Sequence, residues 1–284
     1  MARVSLSDRR LAAAGLLALL CGALPAQAGS PWAQVSVPTP GPAAAIGGAA
    51  SGCVGGAQAL AETGPGYVNV RRARHRYFGH PKLLATVRDL GATMARRSDA
   101  LMMVGDLSQP RGGRMASSHR SHQNGLDADI WFTLAPSPEA GRRLMDDRED
   151  PPSMVDSSGL ALSRAWGPEQ RLLLETAARH PAIDRIFVNA AIKRALCQTT
   201  AGDRSWLHKV RPWFGHDAHF HLRLRCPPDS PQCEPQKPLP PGDGCNEDLS
   251  WWLSPEARRP LRKKSEPAEE PQTPAACMAL LKAP

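Results

Sequence analysis

Five of the nine histidines in this 284-residue chain fall in two short stretches. The first runs His119-Arg120-Ser121-His122-Gln123-Asn124-Gly125-Leu126-Asp127-Ala128-Asp129. The second, far downstream, runs His216-Asp217-Ala218-His219-Phe220-His221. Imidazole and carboxylate are ligands that a borderline metal such as zinc accepts. A catalytic zinc takes three of them from the protein and keeps one position for water. The chemistry these residue types suit is therefore metal-assisted hydrolysis.

The pattern around each stretch says what must position it. Leu126, Ala128, Ile130, Phe132 and Leu134 alternate with Asp127, Asp129, Trp131 and Thr133. Period-two alternation predicts a half-buried strand, with Asp127 and Asp129 on one face. Gly125 lets the chain turn into it. Downstream, Phe220, Leu222 and Leu224 alternate with His219, His221, Arg223 and Arg225. Residues two apart on a strand are roughly 6–7 Å apart along the backbone. One of His219 and His221 can therefore hold a metal while the other faces the water. The spacing does not distinguish them.

These residues resemble the LAS metallopeptidases, the group of lysostaphin, the D-Ala-D-Ala peptidases and the hedgehog signalling domain. That group carries a His, an Asp seven positions on, and a later His-x-His, matched here by His122, Asp129 and His219-Phe220-His221. More specifically, the chain is similar to the penicillin-insensitive murein endopeptidase family. The blocks are Tyr77-Phe78-Gly79-His80-Pro81, Gly112-Gly113-Arg114, Ser121 to Asp127, Arg185-Ile186-Phe187-Val188-Asn189, Lys209 to Phe214 and Arg223-Leu224-Arg225-Cys226-Pro227, within roughly Gly52 to Cys277. The resemblance implies an exported zinc metallopeptidase, a DD-endopeptidase that hydrolyses the D-alanyl–meso-diaminopimelyl cross-links of peptidoglycan in the periplasm. It implies His122, Asp129 and His221 as zinc ligands, and His219 as general base or oxyanion stabiliser. His216 is a second candidate for proton transfer.

His119 is open between a substrate contact, support of the ligands and a second metal. Some family members add a downstream Asp-Gly-x-His, but the matching Ser158-Gly159-Leu160-Ala161 lacks both groups, so one zinc ion is expected. Asp127 suits orienting a ligand, and Arg114 suits a substrate carboxylate. An ordinary structural role is the first reading of both. Trp213 and Phe214 line a substrate groove or pack in the core. The alternatives to an endopeptidase are a D-Ala-D-Ala carboxypeptidase with the same site and a wall-binding module without turnover.

From the N-terminus, Arg3, Arg9 and Arg10 precede an apolar run from Leu11 to Leu24, and Ala26-Gln27-Ala28 fits a signal-peptidase site. Residues 1–28 read as a signal peptide, because the run is too short to span a membrane. Cys21 follows Leu20, where a lipoprotein signal usually has a small residue. Removing residues 1–28 takes away three arginines and one aspartate, so the net charge of +8 falls to +6. That balance suits an anionic partner such as the wall. The aromatics are not interleaved with basic runs, which argues against nucleic acid. The oligomeric state is open.

Six cysteines remain after Cys21: Cys53, Cys197, Cys226, Cys233, Cys245 and Cys277. An even count in an exported chain suggests disulfides. Cys226 and Cys233 are close in sequence and flank prolines, which suits a local loop. The resemblance implies Cys53–Cys277 and Cys197–Cys245 for the others.

The rest is scaffold. Residues 29–50, rich in Pro, Ala and Gly, read as a flexible lead-in. Helical spacing predicts helices over Pro81–Arg97 and from Pro168 to Arg179, and Asn189 caps a third. Leu101–Val104, Ile183–Val188 and His216–Arg225 read as strands, and residues 135–165 as a surface loop. A body of roughly 175–200 residues is one domain. The expectation is α+β, with a mainly antiparallel central sheet flanked by helices and stapled by disulfides. Residues 51–253 form the metallopeptidase domain, and 254–284 a Pro-rich tail tied back by Cys277.

Overall fold

The computed structural model describes residues 30–116, 119–144, 150–259 and 272–284. The signal peptide expected over residues 1–28 lies outside these. In chain order the strands are β1 Ala44–Gly48, β2 Ser51–Gly55, β3 Gln58–Ala59, β4 Thr63–Gly64, β5 Tyr67–Asn69, β6 Phe78–Gly79, β7 Leu101–Val104, β8 Asp127–Ala135, β9 Ile183–Val188, β10 Val210–Pro212 and β11 His219–Leu224. The α-helices are α1 Pro81–Ala95, α2 Pro138–Leu144, α3 Pro168–Arg179, α4 Ala190–Thr199, α5 Glu247–Trp252, α6 Pro255–Arg258 and α7 Ala275–Lys282. Among the described residues, no helix is long and apolar enough to cross a membrane.

Seven strands form one sheet in the order β10-β9-β11-β8-β7-β5-β4. The β10–β9 and β7–β5 pairs are parallel; the other four neighbouring pairs are antiparallel. The fold is therefore α+β with a mainly antiparallel sheet, as the mixed spacing of the sequence suggests. The two histidine stretches end on β8 and β11, neighbours at the centre of that sheet.

One face of β8 and β11 belongs to the main core. Ala128, Ile130, Phe132, Phe220, Leu222 and Leu224 pack there with Leu83, Leu84, Val87 and Leu90 of α1 and Leu173, Leu174 and Ala177 of α3. Both helices begin at a proline whose missing N–H costs nothing at that position. The His80 side chain caps α1 by accepting from the Lys82 N–H, and Asn189 caps α4 by accepting from the Ala191 N–H.

The expected half-buried strand is buried on both faces. Asp127, Asp129 and Trp131 are as enclosed as the apolar residues between them. The segment between β7 and β8 folds over the polar face, so alternation here separates an apolar core from a polar interior and not from solvent.

Residues 29–50 are not a flexible lead-in. Pro31–Gln34 forms a turn of 3₁₀ helix and Ala44–Gly48 is β1, paired with β2. Trp32 and Ile46 are buried against Cys53 and Cys277. The Pro and Gly content conceals two apolar anchors whose partners are distant in sequence. The segment 135–165 is likewise more than a surface loop. It contains α2, and Met154 and Val155 are buried. The Met154 N–H donates to the Asp217 carbonyl, tying this segment to the turn before β11.

Three disulfides staple the domain: Cys53–Cys277, Cys197–Cys245 and Cys226–Cys233. The tail ends in a docked helix, α7. The buried Arg111 guanidinium donates to the carbonyls of Leu280, Ala283 and Pro284 beyond the Cys53–Cys277 link. The charged stretch Arg262-Lys263-Lys264 lies outside the described residues.

Candidate metal centre

Register sets the site. Across β8 and β11, Asp127 faces Arg223, Asp129 faces His221 and Trp131 faces His219. All six side chains are on the face away from the main core. Antiparallel pairing brings directly opposed residues close enough for their side chains to meet.

Asp127 is fully buried and anchors the group. It accepts two hydrogen bonds from Arg223, Nε to Oδ1 at 2.7 Å and Nη2 to Oδ2 at 2.8 Å. Burial alone would push its carboxyl up; Arg223 and His221 outweigh burial and hold it well below the usual carboxylate range. A carboxylate in that state is a fixed acceptor. It accepts the His122 backbone N–H at 3.0 Å, and His221 Nε2 lies 3.3 Å from it. A marginal 3.5 Å approach of Arg223 Nη2 to the same His221 nitrogen is weaker than the bond Arg223 makes to Asp127. We therefore place the His221 proton on Nε2, directed at Asp127. Its Nδ1 lone pair is then free, 3.3 Å from Asp129 Oδ1.

His122 is set the same way. Its Nδ1 lies 2.7 Å from the Leu107 carbonyl oxygen, which can only accept, so the proton is on Nδ1. Its Nε2 lone pair faces Asp129 Oδ1 at 3.3 Å. Both atoms are buried without a hydrogen-bond partner. An acceptor facing an acceptor in a buried place is costly unless something positive lies between them. His122 also holds a left-handed backbone, φ 66°, a strained conformation for a non-glycine residue, and the Asp127 bond to its N–H fastens it.

Three lone pairs thus converge: His122 Nε2, Asp129 Oδ1 and His221 Nδ1. Burial opposes charge on the His221 ring, but Asp127 and Asp129 together raise its pKa. Burial would also raise the Asp129 pKa, but His122 and His219 keep it well lowered. Two carboxylates around one imidazole call for positive charge, which a proton or a metal ion can supply. The donor set fits a divalent ion of zinc type.

His119 makes a second combination possible. One ring nitrogen of His119 lies within 4.8 Å of a ligand atom of His122 and of Asp129, so these three also form a group able to hold a metal ion. However, His119 Nε2 is 3.3 Å from the buried Asp106 carboxylate, and its Nδ1 is 3.8 Å from Asp129 Oδ2. His119 is also partly exposed, unlike His122 and His221. It sits at the edge of the convergence, joined to Asp106.

His219 and His216 line the opposite side. His219 Nε2 is 3.7 Å from Asp129 Oδ1, and its ring is tilted on Trp131. Burial lowers its pKa even against Asp129. The His216 ring centroid is 5.2 Å from that of His219. Burial first, then His219 and His221, push His216 down to about 4. Both are therefore neutral near pH 7 and able to accept a proton.

A cleft of about 450 Å³ opens beside this group. Its lining includes Asp129, His119, His219, Trp131 and Asp106, together with Arg71, Arg74, Arg76 and Asp150. Arg114 is not part of this lining; it is exposed, at the start of a different stretch. The arginines at the cleft come from residues 71–76, a tight turn with left-handed backbone at Arg71 and His75. Arg76 and Arg74 pair with the buried Asp106 at 2.9 and 3.4 Å. Arg71 lies over the Trp131 ring and pairs with Asp150, whose side chain is 72% exposed. The sequence reading passes over these residues because their spacing fits no ligand pattern. The run Arg71-Arg72-Ala73-Arg74 was the available signal.

Gly112 and Gly113 serve packing. Gly112 has φ 69°, and a Cβ there would strike the Gln123 carbonyl, so only glycine lets this turn lie against the first histidine stretch. A separate groove of about 300 Å³ between α1 and α3 shares no residue with the site.

A family model described as penicillin-insensitive murein endopeptidase matches residues 45–282. Curated relatives with that name include one from Pectobacterium atrosepticum, 42% identical over 94% of this chain and 95% of its own length. One from Yersinia enterocolitica is 43% identical over 94% and 96%. One from Escherichia coli O157:H7 is 40% identical over 95% and 97%. With the match running from β1 to α7 and through both halves of the candidate metal centre, this chain belongs to the penicillin-insensitive murein endopeptidase family, a family of peptidases.

Proposed function

We propose that this protein is an exported zinc-dependent murein endopeptidase that hydrolyses the D-alanyl–meso-diaminopimelyl cross-link of peptidoglycan. The observation that carries the reading is the convergence of unprotonated His122 Nε2, Asp129 Oδ1 and His221 Nδ1, two of them buried and unpartnered. These three residues would hold the metal. Bound there, zinc would supply Lewis acidity to the scissile carbonyl and to the attacking water.

The chain's own residues do the rest. Asp127 keeps the His221 tautomer and orientation, and the Leu107 carbonyl keeps those of His122. His219, neutral and beside Asp129, takes the proton from the nucleophile and returns it to the leaving amine. His216, its Nδ1 proton directed at the Phe214 carbonyl at 2.8 Å, stays neutral behind it as a relay. The bond proposed here places a free carboxylate on the carbon that bears the scissile nitrogen. The arginine-lined wall of the cleft suits that group, with Arg71 able to exchange the exposed Asp150 for it. Three disulfides suit an oxidising compartment, which supports export to the periplasm.

Digestion of purified cross-linked muropeptide dimers, with and without a chelator, tests this by mass spectrometry. The expected result is monomers without loss of a free D-alanine, blocked by the chelator and restored by zinc. Release of terminal D-alanine alone would instead make the protein a carboxypeptidase. Zinc bound with no cleavage would make it a wall-binding module.

A further inference from the structure

An exposed group of aromatic rings adjoins the candidate metal centre. Trp213, Phe214 and Trp251 are 50%, 44% and 53% exposed. They come from two segments: the turn between β10 and β11, and the short helix α5. Trp252 of α5 joins them, with its ring centroid 5.7 Å from Trp213 and 4.8 Å from Phe214. Trp251 extends the group on the other side of Trp252, at 5.2 Å. Phe187 of β9 connects it to the site, 5.6 Å from Trp213 and 5.5 Å from His221.

The backbone beneath these rings is pinned. The Trp213 N–H donates to the Val188 carbonyl, and the His216 carbonyl accepts from the Asn189 N–H. Leu249 buries one side of α5. The Cys197–Cys245 disulfide and the Lys193 bond to the Asp243 carbonyl hold the chain that leads into it. Large apolar rings held in fixed positions yet left in water mark a contact surface. Tryptophan is the side chain most enriched at the energetic centres of such contacts.

We propose that this platform binds the glycan strand of the wall, by stacking aromatic rings on the apolar C–H faces of its N-acetylated sugar rings. The assignment rests on the murein reading above. The substrate of that reading is a polymer, and the cross-link in the site is covalently attached to sugars. Surface continuous with His221 through Phe187 therefore lies next to that polymer while a cross-link is being cut. The arginine-lined cleft lies on the other side, along Trp131 and His219, and suits the charged peptide. The aromatic side suits the amphipathic sugar chain. The rings meet at angles from 42° to 82°, so they present several facets in place of one flat plane.

The test uses two substrates and one binding probe. The probe is glycan strands freed of stem peptides by an amidase, with binding measured by co-sedimentation or calorimetry. The variants are Trp213→Ala and Trp251→Ala, with Trp251→Tyr as the control that keeps a ring. Each alanine variant is expected to weaken glycan binding about tenfold, the equivalent of one good aromatic anchor. KM on intact sacculi should rise to match, while turnover of cross-linked stem-peptide dimers freed of their sugars stays unchanged and Trp251→Tyr keeps most of the binding. Unchanged glycan binding in both alanine variants would overturn the proposal. Equal losses on sacculi and on dimers would also overturn it, because the rings would then serve the peptide or the catalytic centre. Should the wild type cut neither substrate, the endopeptidase reading fails on its own, and the glycan measurement still decides the platform.

Discussion

At the scale of single residues, the site is an arrangement of lone pairs. His122 and His221 each have one nitrogen committed to an oxygen acceptor behind it, Leu107 and Asp127 respectively. That commitment leaves the other nitrogen unprotonated and aimed at Asp129. His122→Ala and His221→Ala should each abolish tight zinc binding, read as metal per chain after dialysis. His119→Ala should leave close to one zinc; complete loss there would move the ligand set to His119, His122 and Asp129. Asp127→Asn tests the support. It should weaken metal affinity about 10–100-fold. It also leaves Arg223 buried without its counter-ion, which should cost about 3–5 kcal/mol in denaturant unfolding. Because ligand imidazoles must be neutral, and Asp127 and Asp129 raise the pKa of His221, zinc occupancy and activity should fall together as the medium turns acidic. His216, already pushed down to about 4, contributes nothing to the start of that fall.

At the scale of elements, β8 and β11 matter through their register. A one-residue slip would turn Asp129 and His221 into the core and Ile130 and Phe220 toward the cleft. The turn over residues 71–76 is the second element at the cleft. Arg71→Met should raise KM for muropeptide dimers about tenfold with little change in kcat, consistent with loss of one charge-assisted contact. Dimers whose diaminopimelyl carboxylate is amidated should show the same KM in wild type and variant. If the amidated substrate still distinguishes the two, Arg71 acts through something other than that carboxylate. Asp106 ties this turn to the site, since Arg74, Arg76 and His119 all reach its carboxylate. Burial opposes its charge, yet the His119 hydrogen bond and Arg76 bring its pKa below the usual value.

At the scale of the whole molecule, two strongly separated segments, β2 and α7, are locked to each other. Cys53–Cys277 closes a loop of 224 residues, which in the chain-entropy model is worth about 5 kcal/mol. A Cys53→Ser/Cys277→Ser double variant should melt markedly lower, while still binding zinc at low temperature. An unchanged melting temperature would show that Arg111 and the packing of α7 suffice. Buried Lys193 gives a second global test. Its Nζ donates to the Leu207 and Asp243 carbonyls, and burial followed by Arg211 lowers its pKa to about 7. The unfolded chain, with a normal lysine near 10.4, therefore holds more protons between these values. The contribution is fully present above about pH 10.4 and is lost as pH falls toward 7, by up to about 5 kcal/mol. Measured against Lys193→Met, wild-type stability should rise with pH across that window; a parallel pair of curves would mean the amine is not perturbed.

Local pattern was enough to single out residues that the fold brings together. Ligand types at fixed offsets, His122 to Asp129 and His219 to His221, are visible because strand geometry ties sequence spacing to a shared face. The same holds for α1, α3 and the Asn189 cap, where period and capping chemistry are local. What the tertiary structure decided is everything set by contacts between distant segments. It assigned the tautomers of His122 and His221 through Leu107 and Asp127. It placed Arg71, Arg74 and Arg76 at the cleft, and turned the Pro- and Gly-rich residues 31–48 into part of the fold through Trp32 and Ile46. It also joined Trp251 and Trp252 to Trp213. A short-range pattern records which way a side chain leaves its own backbone. Which distant group it then meets depends on sheet register and loop packing, and no window of sequence contains both partners.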